Sequence, residues 1–125
     1  VMMRVTNEAV EKMIDLFQDN EGRKQSFSKE ALYYAFFREG YDESTTPKMY
    51  VARERWRYIR RLMTTMRKRT DFYVVCEPVG KGDWEFYLVK HADEFELFNG
   101  RLDSIIKGIR YVQNRGKLFC EKRGI

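Results

Sequence analysis

From Thr46-Pro47 to about Lys68 the chain carries one uninterrupted helical pattern, and that pattern limits the fold more than any other stretch. Threonine before proline is a start signal: the hydroxyl caps the first turn, and proline suits a position whose N–H has no helical partner. At 100° per residue, Met49, Val51, Ala52, Trp56, Ile59, Leu62, Met63 and Met66 gather on one broad side. Arg53, Arg57, Arg60, Arg61, Thr64 and Lys68 gather on the other. A helix with one apolar side buries it, so this segment is expected to lie across a core with its arginines outward. Arg55 falls on the apolar side and is expected to snorkel or to pair with an acid. Trp56 shares its side with Ile59 and Met63, which makes it a core residue rather than a stacking platform.

The charge is concentrated in the same place. Residues 48–69 hold nine lysines and arginines, starting at Lys48, against the single acid Glu54. The chain as a whole is +5, so this segment at +8 leaves the other 103 residues at −3. Like charges at i, i+4 spacing repel and cost helix stability unless something negative lies against them. A polyanion fits, and arginine forks bind phosphate oxygens and guanine edges bidentately. The alternative is a solvated face paired with acids from elsewhere in the chain.

The flanking segments supply a core. Val10, Met13, Ile14 and Phe17 form one stripe of a first helix, capped by Thr6 or Asn7 and ending near Gln18. The polar run Asp19 to Gln25 reads as a loop. Ser28 caps a second helix with Glu30 in its first turn; Leu32, Ala35 and Phe36 face inward, and Gly40 suits its C-terminal turn. Tyr33, Tyr34 and Phe37 are too many aromatics for one buried stripe, so both sides of that helix are expected to be covered, by the last helix or by a second chain.

After Asp71 the period changes. Phe72 to Cys76 and Trp84 to Val89 are aromatic and β-branched and read as a strand pair, with Gly80-Lys81-Gly82-Asp83 as the turn and Pro78 at a strand end. Asp93 with Glu96 resembles a capping box opening a last helix, whose stripe Phe95, Phe98, Leu102, Ile105, Ile106, Ile109 and Val112 runs toward Asn114. Gly100 and Gly108 weaken it and favour a break near Asn99.

Several classes are excluded as expectations. A chain of 125 residues is read as a single domain, residues 5–90 forming its core, 91–115 the C-terminal helix and 116–125 a tail. Cys76 and Cys120 suit neither a disulfide scaffold nor a zinc site and are expected as reduced thiols. No apolar run reaches the ~18–20 residues of a membrane span, and the N-terminus lacks a signal-peptide core. A cytoplasmic protein is expected, nucleoid-associated or nuclear according to the cell. His91 is the only histidine, and its acidic neighbours read as helix-capping residues rather than catalytic partners. No metal, cofactor or enzymatic activity is expected.

Three helices followed by a two-stranded hairpin resemble the winged helix-turn-helix superfamily of DNA-binding domains over residues 5–90. Phe27-Ser28-Lys29-Glu30-Ala31-Leu32 looks like the start of its second helix, Arg57-Tyr58-Ile59-Arg60-Arg61-Leu62 like its recognition helix, and Tyr73 to Leu88 through Gly80-Lys81-Gly82 like its wing. The connection between the second and third helices is longer than is usual in that family, and the third helix is longer too.

The resemblance implies an α+β fold, a three-helix core with a hairpin wing and an added C-terminal helix. It also implies duplex DNA as partner, with transcription regulation as the role. The contacts expected are Lys48, Arg53, Arg57, Arg60, Arg61, Thr64 and Lys68 from the third helix and Lys81 from the wing. A homodimer through the C-terminal helix is a further expectation. The rival reading is an accessory or inhibitory factor of the same fold that docks on an acidic partner protein.

Overall fold

The structure, a computed structural model, describes residues 3–69 and 71–125; Val1 and Met2 lie outside the described residues. Four helices and a three-stranded antiparallel sheet make an α+β fold. The helices are α1 (Asn7–Gln18), α2 (Lys29–Phe37), α3 (Thr46–Arg67) and α4 (Ala92–Arg123). The strands are β1 (Phe27–Ser28), β2 (Val74–Gly80) and β3 (Asp83–Leu88), in the sheet order β1-β3-β2. No described helix is long and apolar enough to cross a membrane.

Local signals place most of these elements. The Thr6 hydroxyl accepts the Ala9 N–H and starts α1, and all four stripe residues from Val10 to Phe17 are buried. Ser28 caps α2 through the Ala31 N–H. Thr45 rather than Thr46 caps α3, which puts Pro47 in the first turn one position further in than expected. The helices α1 and α2 are braced at one end, where Lys12 Nζ donates to the Phe36 carbonyl at 2.6 Å and lies 4.4 Å from the Phe36 ring centre.

The core lies between the helices and one face of the sheet. Ile59, Leu62, Met63 and Met66 of α3 meet the α1 stripe, Leu32 and Phe36 of α2, and Val74, Phe86 and Leu88 of the sheet. Val51 of the expected apolar side is half exposed, because the first turns of α3 run past the edge of the core. Tyr58, counted with neither side in the sequence, is buried, and its hydroxyl donates to the Arg4 carbonyl at 2.8 Å. Trp56 is half-buried and packs edge-on to Phe86 at 5.3 Å.

Three expectations for the strands and the second helix are corrected. Strand β1 pairs Phe27 with Phe86 and Ser28 with Glu85, making the hairpin the larger part of a three-stranded sheet. Strand β2 begins at Val74 and runs through Pro78 to Gly80, with a bulge between Pro78 and Gly80; it is an edge strand, where proline is tolerated. The turn that ends α2 is made by Arg38, at φ 60 in the left-handed region, and not by Gly40.

The C-terminal helix differs most. It has no break near Asn99 and continues through residues 116–123, which were expected as tail. Its cap is His91, and the acid that closes its first turn is Glu94 rather than Glu96. It touches the body only at its root. Phe95 and Phe98 lie edge-on to Tyr73 at 5.6 and 6.3 Å, and Arg101 Nη2 reaches Glu77 at 3.4 Å. From Leu102 to Phe119 every residue is exposed. Tyr33 is therefore buried under Phe37 and Tyr41 rather than under α4, and Tyr34 stays 54% exposed.

Candidate nucleic-acid interface

The outer face of α3 carries the expected cations, and the turn β2–β3 stands beside it. About 33 Å of helix is available over 22 residues at 1.5 Å each. Between α3, the start of α2 and the hairpin lies a groove of about 780 Å³. Arg60 and Trp56 line its α3 side, Lys29 its α2 side, and Gly82 and Trp84 its hairpin side; Glu30, Asp83 and Glu85 also line it. The hairpin turns through Lys81 and Gly82, the glycine at φ 75 taking a conformation other residues adopt only at a cost.

The cations divide into two groups along α3. Those of its first half meet acids. Lys48 Nζ lies 3.4 Å from Asp42, Arg53 Nε 3.0 Å from Glu43, and Arg57 pairs with Glu54 one turn earlier on the same helix. Arg55 pairs with Glu39 at 2.6 Å and reaches the Tyr33 hydroxyl, as its place on the apolar side requires. The acids 39–43 all come from the connection between α2 and α3, whose extra length folds back over the helix start.

The surroundings of Asp42, Glu43, Arg53 and Arg55 favour their charged forms. Hydrogen bonds from the Ser44 hydroxyl and N–H, joined by Lys48, put the Asp42 carboxyl below its usual range. The Tyr41 hydroxyl and the Arg53 guanidinium do the same for Glu43. Glu43 in turn raises Arg53, and Glu39 followed by Tyr33 raises Arg55. All of these carboxylates are exposed or half exposed, so each pair is worth little and is readily exchanged for another anion.

The second half of α3 has different company. Arg61 Nη2 donates to the Met3 carbonyl at 3.1 Å while its guanidinium sits 5.6 Å from the Tyr58 ring centre, which ties the N-terminal segment to the helix. The Thr64 hydroxyl donates to the Arg60 carbonyl at 3.0 Å, so its one donor is already engaged. Arg67 donates to the Val74 carbonyl and Arg69 pairs with Glu11, both as braces. Arg60, Lys68 and Lys81 are exposed and form no ion pair among the described residues.

Neither a family model, a curated protein nor a solved structure matches this chain.

Two contributors to this surface were not singled out from sequence. Lys29 sits at the start of α2, 4.2 Å from the Tyr41 ring centre and 5.6 Å from that of Trp56. Trp84 is 47% exposed on β3; the strand face that carries Phe86 and Leu88 into the core carries Trp84 out over the groove. The signal for Trp84 was present as period-two alternation running past the end of the core. For Lys29 nothing local marks it. Among the described residues no group of three or more His, Cys, Asp or Glu side chains could hold a metal ion.

Proposed function

We propose that the chain is a winged helix-turn-helix protein that binds duplex DNA, with α3 in the major groove and the β2–β3 turn on the backbone. The order α1-β1-α2-α3-β2-β3 and the sheet order β1-β3-β2 support the resemblance, since the first strand found in the structure completes a sheet the sequence had left as a hairpin. Regulation of transcription is the role the fold suggests by analogy.

One observation carries the proposal: Arg60 on α3, Lys68 at its C-terminal cap and Lys81 on the adjoining turn are exposed cations that no described acid neutralises. Arg53, Arg57 and Lys48 add charge that swaps one exposed carboxylate for a phosphate, a near-even exchange. Base contacts would then come from the Arg60 side of the helix and positioning contacts from Lys68 and Lys81.

A salt series with a random duplex of about 30 base pairs tests this, because the logarithm of the binding constant should fall with slope about −0.9 for each phosphate neutralised. Binding that ignores salt, or no binding at low salt, overturns it. In that case an acidic protein surface becomes the partner to seek.

A further inference from the structure

The free part of α4 has the pattern of a coiled coil. Phe95, Phe98, Leu102, Ile105, Ile109 and Val112 follow at alternating spacings of three and four residues, and Gly116 and Phe119 continue them. A strict 3.5 repeat makes a narrow seam for one neighbouring helix, whereas a helix lying on a globular core shows a broader stripe. Phe95 and Phe98 also touch Tyr73 at the root, but from Leu102 onward no described residue of the body covers the seam: Ile105, Ile109 and Val112 are 58%, 54% and 68% exposed.

Charge says what covers it. Residues 92–106 of α4 are net −3 and residues 107–123 are net +5. A second copy laid parallel would set +5 against +5. Laid antiparallel, each acidic half faces the other copy's basic half, and the helix dipoles oppose as well. Behind the flank that carries Ile106, Glu96 and Asp103 fall in the same outer row as Arg110 and Lys117, so the reversal sets that row's acidic half opposite the other copy's basic half.

The seam also selects a register. With the two-fold at residue 107, Ile105 meets Ile109 of the second copy, Leu102 meets Val112, Phe98 meets Gly116 and Phe95 meets Phe119. The bulk of Phe98 falls where glycine leaves room, and an added Cβ at Gly108 or Gly116 would touch nothing in the single chain. Ile106 meets its own copy beside the two-fold. On the opposite flank Arg101 faces Arg115, and Glu77 at 3.4 Å offsets the repulsion.

The area suffices. The exposed parts of the seam residues with Ile106 amount to roughly 1,200 Å² across a pair, the lower end of the range for stable interfaces.

We infer that the chain forms a two-fold dimer through an antiparallel α4 coiled coil centred on residue 107. This inference is independent of the DNA reading.

Light scattering of the full chain at about 100 µM should give twice 15.1 kDa, falling toward 15.1 kDa on dilution. Ile105→Glu with Ile109→Glu should give 15.1 kDa at all concentrations with the near-ultraviolet signal of the body intact, because both side chains are exposed in the single chain. Orientation is read by cross-linking. With Cys76 and Cys120 replaced by serine, an oxidised mixture of a Leu102→Cys chain and a Val112→Cys chain should yield the mixed disulfide over either homodisulfide. A mass of 15.1 kDa for the unaltered chain, a dimer that survives the two glutamates, or predominant homodisulfides each overturns the proposal.

Discussion

The Glu94 carboxylate accepts the backbone N–H of Arg23 at 2.6 Å, joining the first turn of α4 to the loop after α1 across 71 residues of sequence. Its other oxygen accepts the N–H groups of Lys90 and His91 at 2.8 and 3.1 Å. Arg23 completes the clamp from its side chain, with Nε 2.6 Å from the buried Glu77, which raises the guanidinium pKa. One carboxylate thus satisfies three backbone donors at the point where α4 leaves the body. Glu94→Ala is expected to destabilise the protein by about 2–3 kcal/mol, since three partly buried donors lose a charged acceptor. Urea unfolding of the variant beside the parent measures it, and a change under about 0.5 kcal/mol would mean the α4 root is held by its aromatics alone.

The same carboxylate sets a pH dependence. Burial pushes its pKa up, but the three N–H groups and His91 outweigh burial and leave it below the usual glutamate range. A folded-state pKa below the unfolded value means stability present above the unfolded pKa, about 4.3, and lost as pH falls through the folded one. Acid titration of stability should therefore be shallower in Glu94→Gln than in the parent below pH ~4.3. Parallel curves would remove Glu94 from the account.

Cations on α3 should differ in what they contribute to DNA affinity. Arg60→Ala and Lys68→Ala are each expected to weaken duplex binding and to reduce the salt slope by about 0.9. Arg53→Ala should do less, because Arg53 must give up Glu43 to reach a phosphate and that exchange is near even. Equal effects of all three would show that the acid pairs at the start of α3 are irrelevant to binding.

Ile59 lies fully buried on the same helix as these arginines. Ile59→Ala should cost roughly 2–5 kcal/mol in unfolding free energy, whereas Arg60→Ala, one residue on, should stay within about 0.5 kcal/mol. This contrast between neighbours separates loss of binding from loss of fold.

Arg38 supplies the left-handed turn that ends α2, at φ 60 and ψ 26, with its N–H bonded to the Tyr34 carbonyl. Arg38→Gly is expected to stabilise the protein by up to about 1 kcal/mol, the relief of that conformation offset in part by glycine's larger unfolded-state entropy. A lower melting temperature would assign the Arg38 side chain a contact that outweighs the backbone.

The parts of the fold legible in the sequence are those with a strong period. The Val10 to Phe17 stripe and the Ser28 cap appear in the structure as read, and so does the two-faced pattern of α3 apart from Val51, Trp56 and Tyr58. Strand β1 escaped because two residues have no period, and Ser28 was already accounted for as a cap. The far end of α4 escaped because Gly116 and the charged residues after Asn114 read as an ending. In the candidate site the cluster of cations was legible, but which of them meet acids was not. That depends on how residues 39–43 fold back over α3, and no local rule gives it. Glu77 was invisible for a related reason: an acid inside an apolar strand makes sense only once Arg23 and Arg101 converge on it.

Both margins of the sheet are poor templates for adding a strand. On one side β1 ends after two residues; on the other β2 is broken by a proline without an N–H and by the bulge that follows it. An incoming extended chain finds no regular row of donors and acceptors on either margin. The strand-forming, aromatic runs Phe72 to Cys76 and Trp84 to Val89, whose composition favours pairing with their own kind in an unfolded chain, are sealed against it once folded.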